Sequence, residues 1–271
     1  MSKNLRLTIE PTLETVTSQL CTSSQFEEQT YERLCREIAQ EKLRHRKQWE
    51  YIYILRALEQ FGKMKPGAEG LGFGCGKEPL AAVMAGRGCR VMCTDISPPN
   101  GGDGYWGSTS VKDFFYGGIC AWDVFERSVQ FRQVNMNEIP SDLGQYDFVW
   151  SSCALEHLGS LKHGADFVQA SIKNLKIGGL AVHTTEFNIT EADETLETPD
   201  LSLYREVDMM NMFRNIEAEG HAVLLPNFNA GGTPVDLHVD LPPYQRDPHI
   251  KLLIAEKYIV TSIGFVIQRL N

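Results

Sequence analysis

The sequence predicts an α/β protein with a doubly wound, mostly parallel seven-stranded sheet, an antiparallel edge strand and a helical N-terminal region. Two observations support this fold class. Strand-like and helix-like segments alternate between residues 67 and 185, with connections long enough for crossover helices. In addition, the run Phe148-Val149-Trp150 is apolar on both faces, which is typical of an interior strand in a parallel sheet.

The individual elements follow from hydrophobic periodicity and from helix-breaking residues. Residues 27–61 lack Gly and Pro and are rich in helix formers, which predicts two helices with a break near the basic residues 44–47. Strands are predicted at 70–73, 90–94, 129–134, 146–151, 180–185, 222–225 and 258–268, and further helices at 78–85, 164–175 and 203–219. The last two strands are expected to pair as an antiparallel edge.

These elements suggest a helical N-terminal region at 1–66 and a sheet-containing domain at 67–271. A long insertion at 98–128 separates the second and third strands and is rich in aromatic residues, including Trp106. Two interpretations remain open for it. It is either a local hydrophobic cluster that holds a long loop, or a wall of the substrate site in which Trp106 contacts the substrate.

Composition restricts the class of partner. The 271 residues include 26 Lys and Arg against 35 Asp and Glu, a net charge of −9, which disfavours nucleic acid and anionic membranes. No apolar run is long enough to span a bilayer, and the first twenty residues contain no signal-peptide core. Seven cysteines without a CxxC pair indicate reduced thiols rather than disulfides or a zinc site built on cysteines. We expect a cytoplasmic protein with a small-molecule partner and leave its oligomeric state open.

The most informative segment is the glycine-rich run GLGFGCG at 70–76. Between a strand and a helix, glycines allow a sharp turn and the close approach of a ligand, and the helix presents free N–H groups. Asp95 ends the next strand, where a carboxylate can accept hydrogen bonds from ribose hydroxyls. A dinucleotide is disfavoured, because no register supplies G-x-G-x-x-G/A and because Glu78 and Asp95 would lie near its pyrophosphate. S-adenosylmethionine is cationic at sulfur and has no phosphate, so it fits better.

With four further segments, this run resembles the class I S-adenosylmethionine-dependent methyltransferases, which have a Rossmann-like fold. The five segments occur in order, as GFGCG at 72–76, CTD at 93–95, VNMNEIP at 134–140, YDFVWSSCALEHL at 146–158 and LKIGGL at 175–180. The sequence departs from the family pattern at Gly72, where an acid is frequent. It also departs at Glu78, where a third glycine is frequent, and at Asn135, where Asp is frequent.

The resemblance implies a set of cofactor contacts. The methionine portion would lie against the glycine loop, the ribose on Asp95 and the adenine beside Ile96. Glu78 would replace the acid that is missing at Gly72. The full set of implied cofactor residues is Gly72, Gly74, Cys75, Gly76, Glu78, Asp95, Ile96, Asn135, Met136 and Ser151. For Asn135, a turn residue that touches no ligand is the alternative.

O-methylation needs a base near the carboxyl ends of the strands, because the acceptor hydroxyl must lose its proton. His157 and Glu186 follow the fourth and fifth predicted strands, and His238 lies in the tail, so these three are the candidate bases. A structural or cofactor-side role is the alternative for His157. The candidate substrate contacts are Trp106, Glu156, Asn188, Tyr244 and His249. For Asn188, capping of the long loop is the alternative.

Two further patterns concern bound ions. Alternation places Asp236, His238 and Asp240 on one face of an extended segment, where they could hold a divalent cation or form an exposed polar face. The basic residues 44–47 could bind an anionic substrate group, or they form a solvated junction between helices.

We therefore expect an S-adenosylmethionine-dependent methyltransferase of the EC 2.1.1 class. Its expected acceptor is an oxygen atom of a sugar or another small polar metabolite, in glycan or natural-product biosynthesis. The alternatives are N- or C-methylation of a small molecule, and a catalytically silent scaffold of the same fold that binds a nucleotide or a protein partner.

Overall fold

The computed structural model describes residues 7–96, 108–191 and 193–271. Within these residues, ten strands form one mixed sheet. They are β1 Ser18–Leu20, β2 Glu69–Phe73, β3 Arg90–Asp95, β4 Val129–Gln133, β5 Tyr146–Ser152, β6 Leu175–Asn188, β7 Ala222–Val223, β8 Pro226–Asn227, β9 Leu252–Ile254 and β10 Tyr258–Gln268. The main path of the sheet is β4-β3-β2-β5-β6-β10-β1-β8, and β7 and β9 also pair with β10.

The central part of the sheet is parallel, as the alternating pattern predicts. Strands β4, β3, β2, β5 and β6 run parallel, and β10 is antiparallel to β6. The expected antiparallel pairing of the last two predicted strands is present between β7 and β10. However, β10 is not an edge strand, since β1 pairs with its other side.

The expected count of seven strands is wrong for the described residues. The additional strands are β1, β8 and β9, each two or three residues long. Segments this short carry no periodic signal, because alternation needs four or more residues to be recognised. Since β1 pairs with β10, the region before residue 66 contributes a strand to the sheet as well as helices.

Six α-helices accompany the sheet in the described residues. They are α1 Gln29–Glu37, α2 Arg46–Gln60, α3 Leu80–Gly86, α4 Trp122–Ser128, α5 Leu161–Ile172 and α6 Glu206–Ala218. The first two are separated at 38–45, so the break predicted near 44–47 is present but begins earlier, and Arg46 and Lys47 already belong to α2. The Nδ1 atom of His45 accepts a hydrogen bond from the Lys47 N–H and caps α2.

The two faces of the sheet are covered by different helices. On β5, Phe148 and Trp150 belong to a core cluster that includes residues of α2 and α3, whereas Val149 belongs to a cluster with α5 and α6. This alternation follows from the two-residue period of a strand. On β10, a Cβ atom at Gly264 would lie 2.2 Å from the Tyr53 ring, so the glycine lets α2 pack directly on the sheet.

The described part of the insertion forms a hydrophobic cluster. Phe115 makes edge contacts with Trp122 and Phe125, and Phe114 and Phe125 are completely buried. Trp106, the expected substrate contact, lies outside the described residues. All seven cysteines are free and five of them are buried, in agreement with the expected reduced thiols.

Candidate active site

A cavity of about 340 Å³ lies at the carboxyl ends of β2, β3, β4 and β5. Six of the ten expected cofactor residues line it, namely Gly74, Gly76, Asp95, Ile96, Asn135 and Met136. His157 also lines it. The carboxyl ends of neighbouring parallel strands meet at one edge of the sheet, which is why loops that are distant in sequence come together here.

Asp95 organises the floor of this cavity. Its carboxylate accepts hydrogen bonds from the backbone N–H groups of Gly76 (3.0 Å), Ser108 (2.8 Å) and Ile96 (2.8 Å). Burial raises the pKa of Asp95 above its ordinary value, although these three hydrogen bonds oppose the shift. The carboxylate therefore fixes the glycine loop while it remains part of the cavity wall.

Glycine is needed at position 74 for two reasons. Its φ of +58° lies in the left-handed region, and a Cβ atom there would lie 2.8 Å from the Ala154 Cβ and 3.1 Å from the Met136 sulfur. Any side chain would fill the space between the loop and the opposite wall. The bare backbone is consistent with close approach of a ligand.

Four expected cofactor residues do not line this cavity, namely Gly72, Cys75, Glu78 and Ser151. Gly72 lies inside β2, and a Cβ atom there would be 2.3 Å from both Cys75 Sγ and the Trp150 ring. This packing explains why the acid that is frequent in the family cannot occupy position 72. Ser151 is fully buried, and its hydroxyl is 2.8 Å from the Nδ1 atom of His183 inside the core.

Glu78 is buried near the cavity rather than in its lining. Its Oε2 atom has no hydrogen-bond partner. Burial raises the pKa of Glu78 well above its ordinary value, and the charges of Glu50 and Asp95 add to the shift. Glu78 therefore lies within electrostatic range of Asp95 and of a second group of polar residues around Glu50.

This second group, the Arg46–Glu50–Glu186 cluster, joins α2 to the sheet. Arg46 forms a buried ion pair with Glu186 on β6 and a second one, 3.3 Å long, with Glu50. The Glu50 carboxylate also accepts hydrogen bonds from the hydroxyls of Ser262 (2.6 Å) and Thr184 (3.3 Å). Burial alone would raise the pKa of Glu50, but Lys47, Arg46 and the Ser262 hydroxyl hold it below its ordinary value.

The candidate bases occupy different environments. His157 is exposed at the cavity, and its Nδ1 atom lies 2.6 Å from the Asp200 carbonyl, which leaves Nε2 without the proton in the neutral ring. Glu186 is buried, with one oxygen bound by Arg46 and Oε2 unpaired. His238 is exposed in the tail and is not among the residues that line the cavity.

Glu156, an expected substrate contact, is completely buried next to the cavity. Its Oε2 atom accepts a hydrogen bond from the Thr185 hydroxyl at 2.9 Å, and its Oε1 atom has no partner. Burial raises the pKa of the Glu156 carboxyl above its ordinary value. Asn188 instead binds within the following loop, where its oxygen accepts from the Thr190 N–H and its amide donates to Thr195, in line with the capping alternative.

The structure does not bring Asp236, His238 and Asp240 together. Residues 234–237 form a turn, so the extended segment on which the expected cation site depended is absent. The Asp236 carboxylate accepts hydrogen bonds from the backbone and hydroxyl of Ser23, and Asp240 lies 2.7 Å from the Nδ1 atom of His249.

The remaining two expected substrate contacts take part in packing at the start of α2. The His249 ring stacks on His45 with 4.4 Å between centroids, and Tyr244 makes an edge contact with His249. The Tyr244 hydroxyl donates to the Leu253 carbonyl. Of the basic residues at 44–47, Arg46 is buried in the cluster, whereas Arg44 pairs with Asp247.

Sequence reasoning missed several residues of the site. Val134, Asn137, Cys153, Ala154 and Leu158 line the cavity, and Glu50 lies at the centre of the polar cluster. One signal for Glu50 was available, since it is an acid within the otherwise apolar run Trp49–Leu55 of a predicted helix. For Cys153, which follows β5 at φ +50°, no such signal exists in the sequence.

A model of the methyltransferase domain family matches residues 40–219, more than half of the chain. The chain therefore belongs to this family, and S-adenosylmethionine is its cofactor. No curated protein matches the chain in sequence. No helix in the described ranges is both long and apolar enough to cross a membrane.

Solved structures with related folds share little sequence with this chain. The magnesium protoporphyrin IX methyltransferase of Synechocystis, solved with bound S-adenosylmethionine, is 14% identical over 91% of this chain and 94% of its own, with a TM-score of 0.48. TehB of Haemophilus influenzae is 12% identical over 80% of this chain and 61% of its own, with a TM-score of 0.49. A Galdieria sulphuraria protein assigned as a sarcosine dimethylglycine methyltransferase is 18% identical over 64% of this chain, with a TM-score of 0.47. The chain spans 60% of the length of that protein.

Proposed function

We propose that the chain methylates an oxygen atom of a sugar or another small polar metabolite, in glycan or natural-product biosynthesis. The observation that carries this proposal is the group of unpaired polar atoms beside the cofactor cavity. Glu156 Oε1, Glu186 Oε2 and Arg46 Nε are buried and have no hydrogen-bond partner. Buried polar atoms without partners are costly, so a bound acceptor that supplies those partners would be favoured.

The cavity residues fit S-adenosylmethionine in chemistry and in space. Asp95 would accept hydrogen bonds from the ribose hydroxyls, and Ile96 and Met136 would lie against the adenine. The bare loop at Gly74 leaves room for the methionine portion. Glu78, with its unpaired buried oxygen, would accept from the amino group in place of the acid that cannot occupy position 72. When bound, the cofactor supplies a methyl group activated by a positively charged sulfur.

The acceptor must be held in line and must lose a proton. Glu186 suits this role, because Arg46 orients one of its oxygens and leaves the other unpaired. His157 shares the cavity with Asp95 and Ile96, the residues assigned to the adenosine portion, so we assign it to cofactor binding.

A hydroxyl group both donates and accepts a hydrogen bond. It can therefore donate to Glu156 or Glu186 and accept from Arg46 Nε. A compound with several hydroxyls would satisfy all three unpaired atoms at once, whereas an apolar acceptor would satisfy none. This is why we favour a sugar or polyol over an apolar acceptor.

The test is turnover with a panel of monosaccharides, nucleotide sugars and small amines, followed through formation of S-adenosylhomocysteine. In Glu186→Gln, we expect the turnover of a hydroxylated acceptor to fall by about 10²–10⁴-fold, the usual contribution of a general base, with S-adenosylhomocysteine affinity unchanged. Glu194→Gln is the matched control, because Glu194 is paired with Lys257 on the surface.

Three outcomes contradict the proposal in different ways. Full activity of Glu186→Gln would exclude it as the base. Turnover of amines alone would favour N-methylation. If the wild-type protein bound neither S-adenosylmethionine nor its product, the silent scaffold would be the better interpretation.

A further inference from the structure

Three side chains from neighbouring segments converge beside the cofactor cavity. Cys153 follows β5, Glu156 lies in the short 3₁₀ helix Leu155–His157, and Glu186 lies on β6. The Cys153 sulfur and one carboxylate oxygen of each glutamate all lie within 4.8 Å of one another. Across 7–96, 108–191 and 193–271, no other three His, Cys, Asp or Glu side chains form such a group. Cys153 also lines the cavity, so the group borders the space beside the cofactor.

Both glutamates present one bound and one unpaired oxygen. The Thr185 hydroxyl donates to Glu156 Oε2, and Arg46 binds Glu186 Oε1. The other oxygen of each carboxylate is buried without a partner. Protein metal sites commonly have this arrangement, because hydrogen bonds from outside the ligand set orient the carboxylate while its free oxygen binds the ion.

We propose that Cys153, Glu156 and Glu186 bind one divalent transition-metal ion of the zinc type, with its fourth position open to the cavity. Three protein ligands and one open position are the arrangement of catalytic zinc sites. A sulfur ligand favours zinc over magnesium or calcium. This site is distinct from Asp236, His238 and Asp240, which the structure keeps apart.

The local charges are compatible with such an ion. Arg46 Nη1 lies 3.6 Å from the Cys153 sulfur and would stabilise its thiolate form. The ion and Arg46 together carry three positive charges, which balance one thiolate and two carboxylates. Lys47 is paired separately with Glu50, at 3.2 Å.

An ion at this site would change the role of Glu186 in the proposed reaction. Its free oxygen would be a ligand rather than the proton acceptor. The acceptor hydroxyl would bind at the open position of the ion, which would lower its pKa so that its proton passes to water. The metal site itself does not rest on the proposed substrate, because metal binding can be measured without turnover. Failure to bind metal would leave the base role of Glu186 standing.

The test is titration of the metal-free full-length protein with Co²⁺, a spectroscopic substitute for Zn²⁺. We expect one Co²⁺ per chain, with a sulfur-to-cobalt charge-transfer absorption that Zn²⁺ abolishes by competition. Cys153→Ser should remove this absorption, whereas Cys120→Ser, which alters a part-buried cysteine outside the group, should retain it.

Glu156→Gln should weaken Zn²⁺ binding by at least about 100-fold. Thr185→Val, which removes only the orienting hydrogen bond, should weaken it by about 10-fold.

Two results would overturn the inference. One is the absence of the charge-transfer band in the wild-type protein, or its persistence in Cys153→Ser. The other is an unchanged Zn²⁺ affinity in both Glu156→Gln and Glu186→Gln. Circular dichroism and S-adenosylhomocysteine affinity would establish that each variant is folded, so that loss of metal binding is not confused with unfolding.

Discussion

Replacing Asp95 by Asn tests the central assignment of the cofactor cavity. The side chain keeps its size. In the wild type the Gly76 and Ser108 N–H groups both donate to Asp95 Oδ2, and the single oxygen of the Asn side chain can still accept from both. The new amide group would face the Ile96 N–H, so this is the one backbone hydrogen bond of the three that the variant loses. The fold should therefore tolerate this change with only a small loss of stability.

Cofactor affinity should respond much more strongly. A hydrogen bond to a charged group contributes about 1.5–3 kcal/mol, and each 1.4 kcal/mol is a factor of ten in affinity. Losing one ribose hydrogen bond to the carboxylate should weaken S-adenosylhomocysteine binding by about 10- to 150-fold. Asp95→Ala should weaken binding and also destabilise the fold, because each backbone N–H left buried without an acceptor costs about 1–3 kcal/mol.

The assay is isothermal titration calorimetry with S-adenosylhomocysteine, together with thermal unfolding of each variant. Asp113→Asn is the matched control, since Asp113 also accepts hydrogen bonds from two backbone N–H groups, those of Thr109 and Ser110, but does not line the cavity. Wild-type affinity in a folded Asp95→Asn variant would refute the assignment of Asp95 to the ribose. Equal losses in Asp95→Asn and Asp113→Asn would indicate an effect of loop order alone.

Two further predictions concern the Arg46–Glu50–Glu186 cluster. Arg46→Met should lower the free energy of unfolding in urea by about 3–5 kcal/mol, because it leaves buried carboxylates without their cation. The double variant Arg46→Met/Glu186→Gln should recover most of the lost free energy of unfolding. If the changes in unfolding free energy of the two substitutions were strictly additive, Arg46 and Glu186 would not be directly coupled. The pKa of Glu50 is lower in the folded protein than its ordinary value of 4.5, so its stabilisation is complete above pH 4.5 and is lost as the pH falls through the folded value. Glu50→Gln should therefore flatten the acid dependence of stability below pH 4.5 relative to the wild type. Identical pH profiles would show that folding does not lower the pKa of Glu50.

The parallel sheet and six of the residues that line the cavity could be predicted, because the patterns that indicate them lie within short segments of the chain. The run Phe148-Val149-Trp150 indicates a strand that is buried on both faces. In the structure, Phe148 and Trp150 pack in the core on one side of the sheet and Val149 in the core on the other side. The glycine loop and Asp95 lie directly after strands, so their position at the carboxyl edge follows from the fold class.

Predictions that depended on side-chain direction within a loop were less successful. Cys75 lies within the glycine loop yet is buried, with its sulfur against Gly72 and its N–H bound to the Thr94 carbonyl at 3.0 Å. Asp236 and Asp240 were expected to share a face, but alternation holds only in an extended chain and residues 234–237 form a turn. Local pattern could not reveal this, because the Asp236 carboxylate is held by Ser23, more than 200 residues away in sequence.

The sequence by itself determined the class of fold and the positions of the glycine loop and of Asp95 at the cavity, since each depends on residues that are close along the chain. Only the tertiary structure decided that Arg46 is buried between Glu50 and Glu186, and that Cys153, Glu156 and Glu186 converge beside the cavity. The first group forms when α2 packs across the sheet onto β6. The second forms where the segment after β5, with its short 3₁₀ helix, lies beside β6. Packing excludes water from these charged groups. Without water, each of them raises the free energy of the fold unless a partner of opposite charge or a hydrogen-bonding group lies against it.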